Sequence, residues 1–202
     1  MKNNKKWFSI IEIIIWMFIF SLWIISVYAV ISSSVRINDH NRHYIIASNL
    51  AREQLEILRN NRDYNYAKIQ KFDQINPLDS MNPDFSNVLD AGIYKVENNF
   101  EASSSFPLNI EKISDNMNLS EEIMQNSNIS LRDEYRVYFD ETQRIYTFDD
   151  NGWSNTKTPY IKYVEISRDE TNQILISSRV IWESRGRHDF EIKTILTDWK
   201  QL

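Results

Sequence analysis

The hydrophobic and polar positions of the chain fall into successive patterns, and the first two predict a single long helix. Almost every position in residues 8–31 is apolar, and Glu12 is the one charged residue there. From Tyr44 onward, apolar residues recur three or four positions apart, which is the spacing of one helix face. No proline or glycine occurs before Pro77. We therefore predict one continuous helix over about residues 8–61.

The second half of this helix is predicted to pack one face on a folded domain. That face carries an apolar stripe, which consists of Tyr44, Ala47, Ala51, Leu55 and Leu58. The intervening positions are polar and are expected to face water: Asn49, Arg52, Glu53, Gln54 and Glu56. The polar run at residues 60–63 is predicted to end the helix.

Beyond the helix, an irregular region is followed by clear alternation with a period of two. Residues 63–132 are rich in Asn, Asp and Ser, which predicts loops with one short strand near residues 93–96. Alternation over residues 133–202 predicts an antiparallel meander whose strands cover 135–139, 144–148, 160–167, 173–182 and 188–197. On the last strand the inward side chains should be Phe190, Ile192, Thr194 and Leu196. The fold class is therefore α+β, with a long N-terminal helix packed on a C-terminal antiparallel sheet.

The length of the apolar segment indicates a membrane span. Crossing a hydrocarbon core of about 30 Å takes about 20 helical residues, whereas the apolar part of a cleaved signal is only about 7–15 residues long. Lys2, Lys5 and Lys6 precede the span, so the positive-inside bias predicts a cytoplasmic N-terminus and an extracytoplasmic C-terminal domain. The expected segments are a basic leader (1–7), a membrane half-helix (8–31), a soluble half-helix (32–62), a loop-rich region (63–132) and a sheet (133–202).

The remaining chemistry of the chain points away from metal sites and catalysis. Cysteine is absent, which excludes disulfides, zinc clusters and thiol nucleophiles. His40 and His43 are spaced to share a metal, but no third ligand is evident, so a solvated helix face is expected. The run from Asp149 to Gly152 lacks the spaced ligands of a calcium loop and should form a turn. No phosphate loop or catalytic motif occurs. The net charge is −5, without a basic run beyond the N-terminus, so no cofactor and no nucleic-acid partner are expected.

The opening stretch resembles the prepilin motif of the type IV pilin superfamily. Lys5-Lys6 matches its basic leader, and Phe8-Ser9-Ile10-Ile11-Glu12 matches its pattern of Phe, Ser or Thr, two aliphatic residues and Glu. Residues 47–63 and 180–199 are similar to the helix and the terminal hairpin of minor pilins of the modification-protein type, with Trp182 and Trp199 at matching places. The resemblance implies the pilin-like fold described above.

The resemblance also gives Glu12 a function. In this family, prepilin peptidase cuts before the Phe and methylates the new amine, so the cleavage site would be Trp7–Phe8 and the N-methylated residue Phe8. The family's glutamate lies near the amine of a neighbouring subunit in the growing filament. A carboxylate is costly inside a bilayer and should have a functional partner, and pairing is stronger there than in water. The alternative is that Glu12 reaches back to the cytoplasmic surface.

Trp7 departs from the family motif, which has glycine immediately before the cut. A tryptophan there should block or severely slow cleavage. Trp16 and Trp23 also occupy positions where relatives carry glycine or alanine, and the chain has 3 glycines and 6 tryptophans, where average usage would give roughly fourteen glycines. We hypothesise that Trp7, Trp16 and Trp23 are UGA codons that the source organism reads as glycine. The alternative, an interfacial aromatic residue, explains Trp7 alone.

Together these features predict a minor pilin or pseudopilin, a non-enzymatic subunit held in the inner membrane and then assembled into a type IV pilus or a related secretion or DNA-uptake filament. Its partners would be other pilins, prepilin peptidase, the inner-membrane assembly platform and membrane lipid. Two alternatives remain open. One is an uncleaved, signal-anchored extracytoplasmic binding module; the other is a small exported enzyme, which would need a convergent polar pocket.

Overall fold

The computed structural model describes residues 9–68, 70–75, 88–98, 108–115, 135–150, 154–169 and 173–198. The chain divides into two compact units, Met1–His43 and Tyr44–Leu202. The elements in chain order are α1 (Ile10–Ala67), β1 (Gly92–Asn98), β2 (Leu108–Ser114), β3 (Arg136–Asp140), β4 (Ile145–Thr147), β5 (Asn155–Arg168), β6 (Ile174–Glu183) and β7 (Arg187–Leu196). The predicted single helix is thus confirmed from Ile10 onward, whereas Phe8 lies outside the described residues.

The first unit contains the N-terminal part of α1, whose apolar side chains are exposed. The large apolar residues between Ile10 and Ile37 are 38% to 77% exposed. By length and composition, α1 is able to cross a membrane through this part. The hydroxyl groups of Ser21 and Ser26 donate hydrogen bonds to the carbonyl oxygens four residues earlier, at 2.8 Å and 2.9 Å. These hydroxyls therefore need no further partner in an apolar environment.

The second unit packs the C-terminal part of α1 on one face of a seven-stranded antiparallel sheet, so the predicted α+β fold class is confirmed. The long strand β5 is at the centre of the pairing. One of its edges pairs with β6, and β6 pairs in turn with β7. The opposite edge is shared, because β3 pairs with the first half of β5 and β1 pairs with residues 164–166 in the second half.

The two hairpins β1–β2 and β3–β4 therefore both pair with the same edge of β5, through β1 and β3. We call this arrangement the fork. At the branch point, the Lys162 N–H donates to the Tyr135 carbonyl at 3.1 Å. Only β5, β6 and β7 form the predicted meander, since β3 separates β4 from β5. The strand predicted near residues 93–96 is present as β1. Strand β2 was not predicted, because its three apolar residues, Leu108, Ile110 and Ile113, do not alternate throughout the strand. These side chains are only partly buried.

The helix does not end at the polar run of residues 60–63, so that prediction is wrong. Asn61 and Asn65 are fully buried. Their side-chain amides each donate to the carbonyl oxygen of Gln74 at 2.7 Å, and Asn65 also reaches the carbonyl of Phe72 at 3.3 Å. Because the following segment accepts hydrogen bonds from these amide nitrogens, the polar run does not end the helix, and α1 continues to Ala67.

The predicted stripe of α1 is confirmed at four positions and is wider than expected. Ala47, Ala51, Leu55 and Leu58 are buried, together with Leu50 and Ile57. Tyr44 is instead 47% exposed and makes an edge contact with the Phe190 ring at 5.1 Å. Gln54 was expected in water but is fully buried. Asn49, Arg52 and Glu56 are exposed as predicted, and Glu53 is half-buried.

Two apolar clusters fill the space between α1 and the sheet. The first cluster is built around Ala47, Leu50, Ala51, Val137, Tyr160, Val180 and Trp182. The second cluster is built around Leu55, Leu58, Tyr94, Val164, Ile166, Ile174, Ile176 and Leu196. The side chains predicted to point inward on β7 are half-buried or buried, as expected. The opposite face of the sheet carries a third cluster, consisting of Ile93, Tyr135, Ile161, Tyr163 and Ile181.

Candidate functional site

The predicted assembly residues lie at the start of α1. Ser9 begins the first turn, since its carbonyl accepts hydrogen bonds from the N–H groups of Glu12 at 3.0 Å and Ile13 at 3.2 Å. Glu12 is the acidic residue of that first turn. The predicted cleavage and methylation positions, Trp7 and Phe8, are outside the described residues.

The position of Glu12 also suits a local function, capping of the helix N-terminus, which the sequence motif did not indicate. Ser9 and Glu12 have the Ser-x-x-Glu spacing of a capping box, in which the two residues satisfy N–H groups at a helix start. The N-terminal end of a helix dipole also favours a negative charge. The position of Glu12 is therefore compatible with capping the helix and with pairing to the amine of a neighbouring subunit. Pairing requires a negative charge on Glu12, whereas capping does not.

Trp16 and Trp23 are on the exposed surface of α1, at 63% and 62% exposure. The Trp23 ring stacks on Phe20 with centroids 6.2 Å apart. Backbone geometry at these helical positions allows any side chain, in contrast to Gly92, where φ is +152° and an added Cβ would lie 2.8 Å from the Ser114 carbonyl oxygen. The surroundings of Trp16 and Trp23 therefore accommodate tryptophan or glycine equally well, and the recoding hypothesis stays a prediction.

The weak metal candidates do not gain further ligands in the part of the chain that the structure describes. Nε2 of His43 is 3.7 Å from an Asp39 carboxylate oxygen, one turn earlier on α1. No group of three or more His, Asp or Glu residues suited to a metal occurs among the described residues. Of the predicted turn at residues 149–152, only Asp149 and Asp150 are described.

The fork contains a polar cavity of ≈ 400 Å³. Both hairpins contribute to its lining, which consists of Glu97, Asn98, Asn109, Asp140, Gln143, Ile145, Tyr146, Thr147, Asp149 and Asn155. Glu97 joins the two hairpins: its carboxylate accepts from the Phe148 N–H at 3.2 Å and lies 3.2 Å from the Asn109 amide nitrogen. The cavity was not foreseen, because it depends on two hairpins sharing one strand edge.

One acidic group of this cavity, Asp140, has a lowered pKa, which does not suit proton donation. Hydrogen bonds from the backbone N–H groups of Gln143 and Thr142 lower the pKa of Asp140, so this group stays ionised. A general acid instead needs a raised pKa. Burial does raise the pKa of Glu165, but that residue is not part of the cavity lining. It lies on β5, and one of its carboxylate oxygens is 3.3 Å from Nε of Arg179.

The described residues therefore offer a helix able to cross a membrane, with a carboxylate in its first turn, and a polar cavity between the two hairpins of the fork. Comparisons of the chain with protein-family models, with curated proteins and with solved structures find no match.

Proposed function

We propose that the chain is a minor pilin or pseudopilin, a filament subunit that prepilin peptidase processes and that assembles through α1 into a type IV pilus or a related secretion or DNA-uptake filament. One observation carries the proposal: α1 runs without interruption over 58 residues, exposed and apolar in its first part and packed on an antiparallel sheet in its last part. A membrane anchor alone needs only about 20 helical residues. Anchoring therefore does not account for the rest of the helix.

Glu12 has a specific task in this proposal. With Lys2, Lys5 and Lys6 on the cytoplasmic side, cleavage frees the amine of Phe8 four residues before Glu12. The carboxylate of one subunit then attracts the Phe8 amine of its neighbour during assembly, which offsets the cost of a charge within the bilayer. The exported domain faces the extracytoplasmic side, and the subunit itself catalyses nothing and holds no cofactor.

Trp7 favours a second candidate function, the uncleaved extracytoplasmic module, because a bulky residue before the cut opposes processing. The codons of the gene distinguish the two proposals. UGA codons at positions 7, 16 and 23, with a tRNA that decodes UGA as glycine, support the filament subunit. UGG codons at these positions support the retained anchor.

Co-expression with a prepilin peptidase tests the proposal at the protein. We expect the Trp7→Gly variant to lose residues 1–7 and to gain one methyl group on Phe8, as read from the intact mass. The parent chain with tryptophan should stay uncut, and Trp16→Gly serves as the matched control, since a change beyond the motif leaves the parent's Trp7 in place and should not restore cleavage. A Trp7→Gly chain that keeps its full mass beside a processed control pilin would contradict the filament proposal.

A further inference from the structure

A polar layer separates the two apolar clusters between α1 and the sheet. It consists of Gln54 on α1, Lys162 on β5 and Ser178 on β6, all of them 0% exposed. The Ser178 hydroxyl is 2.7 Å from Oε1 of Gln54 and 3.0 Å from the Ala51 carbonyl oxygen. The first cluster lies on one side of this layer and the second cluster on the other.

The polar layer is unfavourable for stability. No described residue accepts a hydrogen bond from Nε2 of Gln54 or from Nζ of Lys162. The lysine nitrogen lies instead over the Phe148 ring, 4.9 Å from its centroid. Burial lowers the pKa of Lys162, and the charges of Glu53 on α1 and Glu97 on β1 only partly oppose this shift. Because buried donors without acceptors cost free energy, an apolar layer would be more stable, and stability does not explain this one.

The buried face of α1 repeats along the helix axis. Buried positions recur at 47, 50, 54, 57 and 61, spaced alternately three and four apart. After a slip of one turn, about 3.6 residues, such a face again presents mainly apolar residues to the sheet. In coiled coils, one polar residue in such a stripe selects a single alignment at some expense of stability. Gln54 occupies the corresponding place here.

We infer that the polar layer fixes the axial register of α1 on the sheet. In the observed register, the Gln54 amide meets the Ser178 hydroxyl, while Lys162 and Val180 are paired across the strands beside it. A slip of one turn, about 5.4 Å, would move Gln54 into one of the apolar clusters. The same slip would move Glu53 away from Lys162, with which it interacts electrostatically in the observed register. Either slipped register therefore loses the polar match.

Other contacts compete for this function near the end of α1. The Asn61 and Asn65 amides bond to the Gln74 carbonyl, and the Tyr66 hydroxyl is 3.2 Å from the Thr197 carbonyl oxygen. These contacts would also resist a slip. A test must therefore remove the polar layer and leave them intact.

The absence of cysteine from the chain makes the test direct. Spin labels at Asn60→Cys and Asp189→Cys, two exposed positions on α1 and β7, report the axial position of the helix in the full-length chain in detergent micelles. The parent should give one narrow distance. The variant Gln54→Leu with Lys162→Met should melt at a higher temperature and show a broadened or divided distribution, with a component displaced by about one turn, roughly 5 Å.

The matched control Leu55→Met with Val164→Ile changes neighbouring buried positions but keeps the polar layer, and it should retain the parent's single distance. An unchanged single distance in the apolar variant would overturn the inference and assign the register to Asn61, Asn65 and Tyr66. A variant without a cooperative melt would overturn it as well, because the inference requires that an apolar layer is tolerated.

Discussion

The two parts of α1 use apolar side chains in opposite surroundings. In the first unit, apolar residues surround the helix and are exposed, and the serine hydroxyls bond within the helix. In the second unit, apolar residues occupy one stripe and are buried, and polar side chains such as Gln54 and Asn61 reach partners outside the helix. One continuous helix is therefore apolar on all sides where it is able to cross a membrane, and apolar on one face where it packs on the sheet.

The largest difference between the two parts should appear when charge is added. Ile19→Lys with Ile24→Lys places two cations in the apolar segment, at a cost of about 2.5–3.5 kcal/mol each for membrane insertion. We expect the chain to leave the membrane fraction after a carbonate wash. The control Asn49→Lys with Asn60→Lys adds the same charge to the exposed face of the second part and should stay in the membrane. Equal fractionation of both variants would remove the distinction between the parts.

Shortening one buried side chain should affect only the second part. Leu58 is 0% exposed, so Leu58→Ala should lower the free energy of unfolding by about 2–5 kcal/mol. Ile25 is 64% exposed, and Ile25→Ala should change it by less than about 0.5 kcal/mol. Urea unfolding in detergent, followed by the circular dichroism of the sheet, measures both. A comparable loss in the two variants would mean that the first part also packs on the folded domain.

Removing the buried amine of Lys162 should change the free energy of unfolding by a smaller amount and in the opposite direction. Lys162→Met should raise the free energy of unfolding by about 1–3 kcal/mol at neutral pH, because it removes a buried amine that has no acceptor among the described residues. Burial lowers the pKa of Lys162 in the folded state below its usual 10.5. The unfolded chain therefore binds more protons between these two values, and the stability of the parent rises with pH across that window.

The advantage of the Lys162→Met variant should consequently be greatest at neutral pH and shrink toward pH 10.5. Unfolding curves at neutral and alkaline pH measure this change. Lys71→Met is the control, since Lys71 is exposed, and it should not raise the free energy of unfolding. A constant advantage at all pH values would show that Lys162 does not titrate differently in the folded chain.

The smallest energetic effect concerns the first turn of α1. Glu12→Ala removes both the charge and the capping side chain, while Glu12→Gln keeps a side chain that can cap. Loss of the charge at the helix start should cost about 0.3–1 kcal/mol, seen as faster hydrogen exchange of the first-turn amides. Incorporation into filaments should fall sharply in both variants if the carboxylate pairs with a neighbouring amine. Normal incorporation of Glu12→Gln would leave only the capping function.

The single helix, strand β1 and strands β3 to β7 were predicted from apolar residues that recur three to four or two positions apart. Two boundaries were wrong: α1 continues to Ala67 beyond its predicted end at residue 61, and β5 begins at Asn155 rather than at residue 160. The inward side of β7 followed from the same alternation. The fold class then resulted from placing one stripe of the helix on these strands.

The remaining features depend on partners distant in the chain. Asn61 continues the helix because it meets the Gln74 carbonyl, and Gln54 is buried because it meets Ser178. The fork requires β1 and β3 to share one edge of β5, which no alternation within a strand encodes. The assembly residues at the N-terminus were found through a motif alone, so their function stays a proposal.

The N-terminal residue of the mature chain, isolated from the cells that produce it, is the most direct test of the proposed filament subunit. Mass spectrometry of the N-terminal peptide should give a sequence that begins at Phe8 with one methyl group on its amine. A peptide that retains Met1 or residue 7 would contradict the account and identify an uncleaved anchor. A peptide that begins after the apolar segment (8–31) would identify a cleaved secretory signal and would contradict it as well.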